Sequence, residues 1–254
     1  MNEFPSMVVE QNSHVELSER FEVAFNQIHA VLKRLNPNEN VDAFVKLLSD
    51  TRKKHASIES FYYELKQFAK LRNALVHEKL NMHTYIATPS EETVLQIERI
   101  ASSLSNPPLV LNIATSAVVT IDFHATLEHV IHVMKTSSYS QFPVYNQGRF
   151  QFLLTEKGLT NWISSNIKDG MIRLTGIKAN NLAVFEDEHN VKFINRKMDI
   201  FELEEIFEEA FQKKQRLEAV IVTETGSPVE TPLGIITPWD LIEIDIISPG
   251  VLIK

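Results

Sequence analysis

The chain has no cysteine, only seven glycines in 254 residues, and no long apolar run. Without cysteine it has no disulfide, no thiolate metal ligand and no cysteine nucleophile. None of the glycines forms a G-x-G pair, so a glycine-rich phosphate loop is absent. No stretch approaches the roughly 18 consecutive apolar residues of a membrane span, and the start does not have the pattern of a signal peptide. We therefore expect a cytoplasmic protein that does not contact a membrane.

An excess of positive charge is also missing. The formal net charge is -8, with 12 basic and 14 acidic residues up to Asn106 and 13 and 19 after it. A protein that grips nucleic acid with its whole surface is therefore excluded, whereas a local basic patch before Asn106 is not. With 44% hydrophobic residues, the chain can build packed cores.

The first part of the chain predicts an all-helical bundle over residues 14–105, after a tail of residues 1–13. Ser13 and Glu16 have the spacing of a capping box, which starts a helix. Apolar residues then recur at helical spacing until Asn36 and Pro37 end the run. Further helices are predicted around 41–48 and from about 57 to 78, and Pro89-Ser90-Glu91-Glu92 has the pattern of a fourth helix start.

Pro107 and Pro108 end the helical part, because two prolines stop a helix and stiffen the adjoining backbone. Beyond them, short strands alternate with helices. The order β-α-β-β-α occurs twice, over 107–165 and 191–247, and residues 166–190 connect the copies. The fold class is therefore α+β with two domains.

The repeated unit resembles a tandem pair of CBS domains (a Bateman module), a module that binds adenosine-containing nucleotides. Two segments carry the resemblance: Phe142-Pro143-Val144-Tyr145, and Gly234-Ile235-Ile236-Thr237-Pro238-Trp239-Asp240. The second matches the nucleotide motif of that family, which is glycine, two apolar residues, serine or threonine, two residues, and aspartate. The resemblance implies two units packed about a pseudo-twofold axis, with a ligand cleft on each side.

Thr237 and Asp240 have two interpretations. In the functional one, the Thr237 hydroxyl and the free N–H groups of a helix N-terminus hold a phosphate, and Asp240 accepts hydrogen bonds from two ribose hydroxyls. In the structural one, Thr237 caps the helix and Asp240 is an acid that the helix dipole favours. Within the repeat, we expect nucleotide contact.

The first copy departs from the motif. Its matching segment runs from Phe152 to Gly158, so that Phe152 replaces the glycine and Gly158 replaces the aspartate. Since glycine cannot bind ribose hydroxyls, we expect an empty or altered first cleft in which Thr155 only caps a helix. One nucleotide per chain follows.

In the helical part, Leu71-Arg72-Asn73-Ala74-Leu75-Val76-His77-Glu78 resembles the signature of HEPN domains, helical bundles that are often dimeric and are in many cases metal-independent RNases. The resemblance implies that Arg72 stabilises a phosphate transition state and that His77 is the acid or base towards a ribose 2′-OH, with Asn73 as the polar residue of the motif.

Arg72 is unusual even without this resemblance, because it lies on the apolar stripe of its helix. A buried charge needs a partner or a cleft. Arg72 and His77 are about 140° apart around an ideal helix, so a shared site requires a distorted helix or a second subunit. The structural alternative is a pair between Arg72 and a carboxylate, with an ordinary His77.

Other clusters favour solvated surface. His129 and His132 are one helical turn apart, but no H-E-x-x-H motif surrounds them, and we expect no metal. The acidic run Glu186-Asp187-Glu188 is interpreted as exposed surface.

We therefore predict a regulatory protein in which a CBS pair senses an adenosine nucleotide (AMP, ATP or cyclic di-AMP) and controls an N-terminal HEPN-like domain. The alternative is a metal-independent endoribonuclease under that control, with RNA as its substrate. Whether the chain is an enzyme stays open. Both resemblances imply a homodimer.

Overall fold

The computed structural model describes the backbone of residues 4–37, 42–77 and 88–241, and the side chains of 15–37, 42–75 and 88–241. The chain divides between Pro107 and Pro108 into two compact units. The helices of the first unit are α1 (Phe4–Arg34), α2 (Phe44–Thr51), α3 (Ala56–Ser60), α4 (Tyr62–His77) and α5 (Glu91–Ser105).

Helix α1 begins at Phe4, upstream of the capping box predicted at Ser13. The predicted tail of residues 1–13 is therefore helical from Phe4 onward, and Ser13 lies within the helix. Pro5 is compatible with this start, because proline is tolerated in the first turn. Helix α1 ends at Arg34, and the Asn36 side chain turns back to donate to the Leu32 carbonyl oxygen (2.8 Å).

The core of the bundle is aromatic and aliphatic. Phe21 of α1 is fully buried and meets Phe68 of α4 edge-on, with ring centroids 5.9 Å apart. Helix α5 starts as the sequence predicts: Ser90 is its N-cap, and the Ser90 hydroxyl accepts a hydrogen bond from the Thr93 N–H (3.2 Å).

The helix predicted from about 57 to 78 is two helices, α3 and α4. Phe61 separates them with φ -98° and ψ 3°, outside the helical values of its neighbours. The Phe61 side chain is buried at this break. The apolar periodicity continues through Phe61 and therefore does not reveal that the helix is interrupted.

The second unit contains two copies of a three-stranded sheet, which confirms the predicted α+β class. In each copy the first strand is parallel to the second, and the second is antiparallel to the third. The elements are β1 (Ile121–Asp122), α6 (Leu127–Thr136), β2 (Gln141–Asn146), β3 (Arg149–Thr155), α7 (Glu156–Asn166), β4 (Val191–Asn195), α8 (Ile200–Gln212), β5 (Ala219–Thr223) and β6 (Gly234–Ile236). Residues 242–247 of the predicted second copy lie outside the described residues.

Each copy is joined to the other by the segment that precedes its first strand. Before β1, Thr115 exchanges backbone hydrogen bonds with Ile235 of β6 (3.0 and 3.1 Å). Before the second copy, the Asn190 side chain donates to the Leu153 carbonyl oxygen of β3 (3.2 Å). The segment before β1 therefore lies beside β6, and the segment before β4 lies beside β3.

In the described residues, no helix combines the length and the apolar character that crossing a membrane requires.

Candidate functional site

Thr237 and Asp240 lie together where β6 gives way to a helical turn. The Thr237 N–H and hydroxyl both donate to Oδ2 of Asp240, at 2.6 and 2.8 Å. The Asp240 N–H in turn donates to the Thr237 carbonyl oxygen (3.1 Å). Thr237 is half-buried, and both of its hydrogen bonds to Asp240 are partly shielded from solvent. We call residues 234–240 the second motif.

The Asp240 side chain accepts from the Thr237 N–H as the acid of a capping box does, but the Thr237 hydroxyl donates to Oδ2 of Asp240 and does not accept from the Asp240 N–H. Oδ2 of Asp240 is committed to Thr237, whereas Oδ1 accepts no hydrogen bond from the described residues. A carboxylate oxygen can accept two hydrogen bonds, so Oδ1 is an acceptor available to a ligand hydroxyl. Capping and ligand binding are therefore compatible in this geometry.

Gly234 has a packing role in the second motif. A Cβ at this position would lie 2.6 Å from Cβ of Ala114 and 3.5 Å from the Thr115 carbonyl oxygen. Only glycine lets the segment before β1 pair this closely with β6. The glycine of the motif thus has a structural reason that needs no ligand.

The first motif, residues 152–158, has the same two donors and a carboxylate from a different part of the chain. Thr155 caps α7, as predicted, and its hydroxyl accepts from the Gly158 N–H (3.0 Å). The Thr155 N–H donates to Oε1 of Glu186 (2.6 Å), and its hydroxyl lies 3.1 and 3.0 Å from the two Glu186 oxygens. Glu186 therefore meets Thr155 as Asp240 meets Thr237.

Gly158 leaves the space that the Glu186 carboxyl fills. A Cβ on Gly158 would lie 1.8 Å from Oε1 and 2.3 Å from Cδ of Glu186, distances that no side chain could tolerate. The expectation of an empty or altered first cleft is therefore refined: the first motif lacks its own aspartate, but a carboxyl from the inter-repeat connection lies against it.

The surroundings of Glu186 change its acidity. Burial raises the pKa of Glu186 to about 7, the hydrogen bonds from Thr155 oppose this rise, and the charges of Glu218 and Lys157 raise and lower it respectively. Asn190 also donates to Oε2 (3.3 Å). Both oxygens of Glu186 thus accept hydrogen bonds from the protein itself.

The assignment of Glu186 to an exposed acidic run was wrong. Asp187 and Glu188 are exposed or nearly so, as expected, but Glu186 is half-buried and its carboxyl points into the first motif. The sequence signal for this placement is Gly158. The first motif has no aspartate at that position, so a carboxylate from another part of the chain can contact Thr155.

In the helical unit, Arg72 lies half-buried in α4 with its guanidinium 5.9 Å from the centre of the Phe25 ring. No carboxylate among the described side chains pairs with Arg72, so the ion pair of the structural alternative is not seen there. A cation over an aromatic face is a weakly favourable arrangement that does not neutralise the charge.

The other two residues of the predicted HEPN-like site are Asn73 and His77. Asn73 is exposed. His77 is the last residue of α4, and its side chain lies outside the described residues. The catalytic interpretation of these residues stays a prediction.

The sequence pattern did not single out His29, a histidine of α1 whose pKa is affected by the charge of Arg72. Its Nε2 donates to the Asp42 carbonyl oxygen (3.1 Å), and its ring meets Phe44 edge-on at 5.6 Å. Burial lowers the pKa of His29, as do the charges of Lys33 and Arg72, while Asp42 opposes them. The charge of Arg72 in α4 thus influences His29 in α1, a relation that the apolar periodicity does not reveal.

The described side chains contain no group of three or more His, Asp or Glu residues placed to hold a metal ion.

The comparisons with known proteins match the second unit. The family model for the CBS domain matches residues 110–164, so the chain contains a CBS domain there. No curated protein matches the chain. One similar solved structure is the CBS domain of the bacterial CNNM/CorC family Mg2+ transporter in complex with ATP, at 23% identity, covering 60% of this chain and 97% of that one with a TM-score of 0.42.

Two further solved structures are similar over a comparable extent. A hemolysin-like protein containing a CBS domain, from Oenococcus oeni PSU, is 14% identical, covers 58% of this chain and 95% of its own, and has a TM-score of 0.39. Hypoxic Response Protein I with two coordinated zinc ions is 16% identical, covers 54% and 98%, and also has a TM-score of 0.39.

Proposed function

We propose that the chain is a cytoplasmic regulatory protein whose CBS pair senses an adenosine nucleotide at the second motif and thereby controls the N-terminal HEPN-like helical domain. The observation that carries the proposal is the contrast between the two carboxyls. Glu186 is engaged through both oxygens, whereas Asp240 keeps Oδ1 available among the described residues.

The chemistry of the second motif suits a ribose next to a phosphate. The Thr237 N–H and hydroxyl already donate to Oδ2 of Asp240, so it is the dipole of the helical turn after Thr237, and not those two donors, that favours a phosphate here. Oδ1 of Asp240 can accept from a ribose hydroxyl, a charge-assisted hydrogen bond that is stronger than a neutral one. We expect one nucleotide per chain, either AMP, ATP or cyclic di-AMP.

Isothermal titration calorimetry with AMP, ATP and cyclic di-AMP tests this site. Asp240→Ala should weaken binding by about 1.5–3 kcal/mol, or roughly tenfold to a hundredfold in affinity, because a charged acceptor is lost. The matched control is Glu202→Ala. Glu202 accepts from the Asp199 N–H at the start of α8 (2.9 Å), so it has the same capping role away from the second motif.

Unaltered binding in Asp240→Ala, or equal losses in Asp240→Ala and Glu202→Ala, would contradict the assignment. Two equal sites per wild-type chain would contradict the expected stoichiometry.

Arg72 favours a second candidate function, a metal-independent endoribonuclease. A half-buried guanidinium without a carboxylate partner among the described side chains is suited to bind a phosphate. In this mechanism His77 exchanges the proton of a ribose 2′-OH, and Asn73 orients the substrate. Single-stranded RNA is the expected substrate.

RNA cleavage in EDTA, with and without AMP, separates the two candidates. If the helical unit is an enzyme, Arg72→Ala and His77→Ala should abolish cleavage, and Arg20→Ala should not, because Arg20 is already committed to Glu98. No cleavage under any condition, or full cleavage in both Arg72→Ala and His77→Ala, would favour a helical unit that only docks partners.

We further propose that the protein is a homodimer, as both family resemblances imply. Light scattering at micromolar concentration should give about twice the 29.1 kDa of one chain. A mass near that of one chain would contradict this.

A further inference from the structure

The first motif differs from the second in where its carboxyl comes from. Asp240 lies three residues after Thr237, at the start of the same helical turn. Glu186 lies 31 residues after Thr155, at the end of the short 3-10 helix Ala179–Phe185. The contact therefore ties the inter-repeat connection to the start of α7.

We infer that Glu186 is a built-in occupant of the first motif, a side chain that takes the hydrogen bonds a phosphate would use and so closes this motif to phosphorylated ligands. The inference goes beyond the proposed function, because it concerns the motif at which that function places no nucleotide.

The donors that an anion would need are the ones that Glu186 occupies. The Thr155 N–H and hydroxyl point to its oxygens at 2.6 to 3.1 Å. These groups lie at the N-terminus of α7, an 11-residue helix whose dipole favours negative charge there. An incoming phosphate would have to displace a carboxyl that already satisfies them.

Gly158 is the second, independent observation. Its missing side chain leaves the space in which the carboxyl lies, since a Cβ would be 1.8 Å from Oε1. An aspartate side chain at this position and the observed placement of Glu186 are mutually exclusive. The glycine at position 158 is therefore required for the Glu186 carboxyl to lie against Thr155.

The charge of the occupant depends on pH. Around Glu186, Thr155 and Asn190 donate hydrogen bonds, Lys157 of α7 is the nearby cation, and Glu218 before β5 is the nearby acid. On its own segment, Asp187, Glu188 and His189 follow it. Burial outweighs the favourable contacts, so the carboxyl takes up a proton near neutral pH and the occupant changes between neutral and charged forms there.

Amide NMR of the full-length chain tests the inference with inorganic phosphate as the probe, followed through the Thr155 N–H. At pH 8, millimolar phosphate should leave the Thr155 resonance in place in the wild type and move it in Glu186→Ala, where the donors are free. Equal movement in both proteins, or movement in neither, would overturn the inference.

A second set of variants does not depend on any ligand. Gly158→Asp should lower Tm, because two carboxyls then compete for Thr155. Adding Glu186→Ala should recover most of the lost Tm. The introduced aspartate can then lie beside Thr155 as Asp240 lies beside Thr237. If Gly158→Asp lowers Tm equally with and without Glu186, the inference is wrong.

The two proposals fail separately. The Thr237 N–H resonance, followed in the same samples with AMP, reports on the second motif alone. If AMP does not move the Thr237 resonance, the proposed nucleotide site is contradicted and the Thr155 result is unaffected.

Discussion

At the residue scale, a short local contact was predictable and a distant one was not. The pairing of Thr237 with Asp240 follows from their spacing, because residues three apart at a helix start face each other. Glu186 reaches Thr155 across 31 residues, and that approach depends on how the connection folds over the first copy. The sequence shows that the first motif has glycine in place of aspartate at position 158, but only the fold shows that the Glu186 side chain occupies that space.

Glu186 also makes the stability of the second unit depend on pH. Its folded-state pKa, about 7, lies above its ordinary value of 4.5, so the folded protein binds more protons than the unfolded one between these values. Stability therefore falls as pH rises from about 4.5 to about 7 and then levels off. The cause is the burial of a charged carboxylate.

Glu186→Gln should remove this cost, because an amide of similar shape does not ionise. Since the carboxyl is only partly buried, solvent screening reduces the effect, and we expect a gain of about 1–2 kcal/mol at pH 8 that disappears near pH 4.5. Chemical denaturation across this pH range measures it. The control Glu188→Gln, at an exposed position on the same segment, should show no pH-dependent gain. An equal gain at all pH values would contradict the prediction.

At the element scale, the sequence predicted where helices begin and end more reliably when a polar side chain marks the boundary. The Ser90 cap of α5 is such a case. The break between α3 and α4 has no polar marker, and the true start of α1 lies upstream of a capping box that does not cap it. Local hydrogen-bond patterns compete with packing, and at the break between α3 and α4 the Phe61 side chain is buried.

The end of α2 is tied to the end of α1 by buried polar groups. The fully buried Thr51 hydroxyl donates to the Leu47 carbonyl oxygen (2.7 Å) and accepts from the Asn36 side chain. Thr51→Val should cost about 1–3 kcal/mol, because it leaves a buried donor of Asn36 without that acceptor. Thr51→Ser keeps the hydroxyl and should cost less. Urea unfolding compares the two variants, and a loss in Thr51→Val no larger than the loss in Thr51→Ser would contradict the prediction.

At the scale of the whole molecule, regulation requires that the two units be coupled. A ligand stabilises the unit that binds it by RT ln(1 + [L]/Kd), about 2.7 kcal/mol at a hundredfold excess over Kd. If binding also changes the state of the helical unit, that unit must respond to the same ligand, because coupling free energies are reciprocal. Ligand binding without coupling would shift one unit alone.

The tryptophans allow the units to be followed separately. Both Trp162 and Trp239 lie in the second unit, so their fluorescence reports on its unfolding, whereas helical circular dichroism also reports on the first unit. With AMP in hundredfold excess over Kd, we expect both thermal transitions of the wild type to move upward by a few degrees and neither to move in Asp240→Ala. A shift confined to the tryptophan signal would mean that the second unit binds AMP without controlling the helical unit, because a ligand that changes the state of a coupled unit also changes its thermal transition.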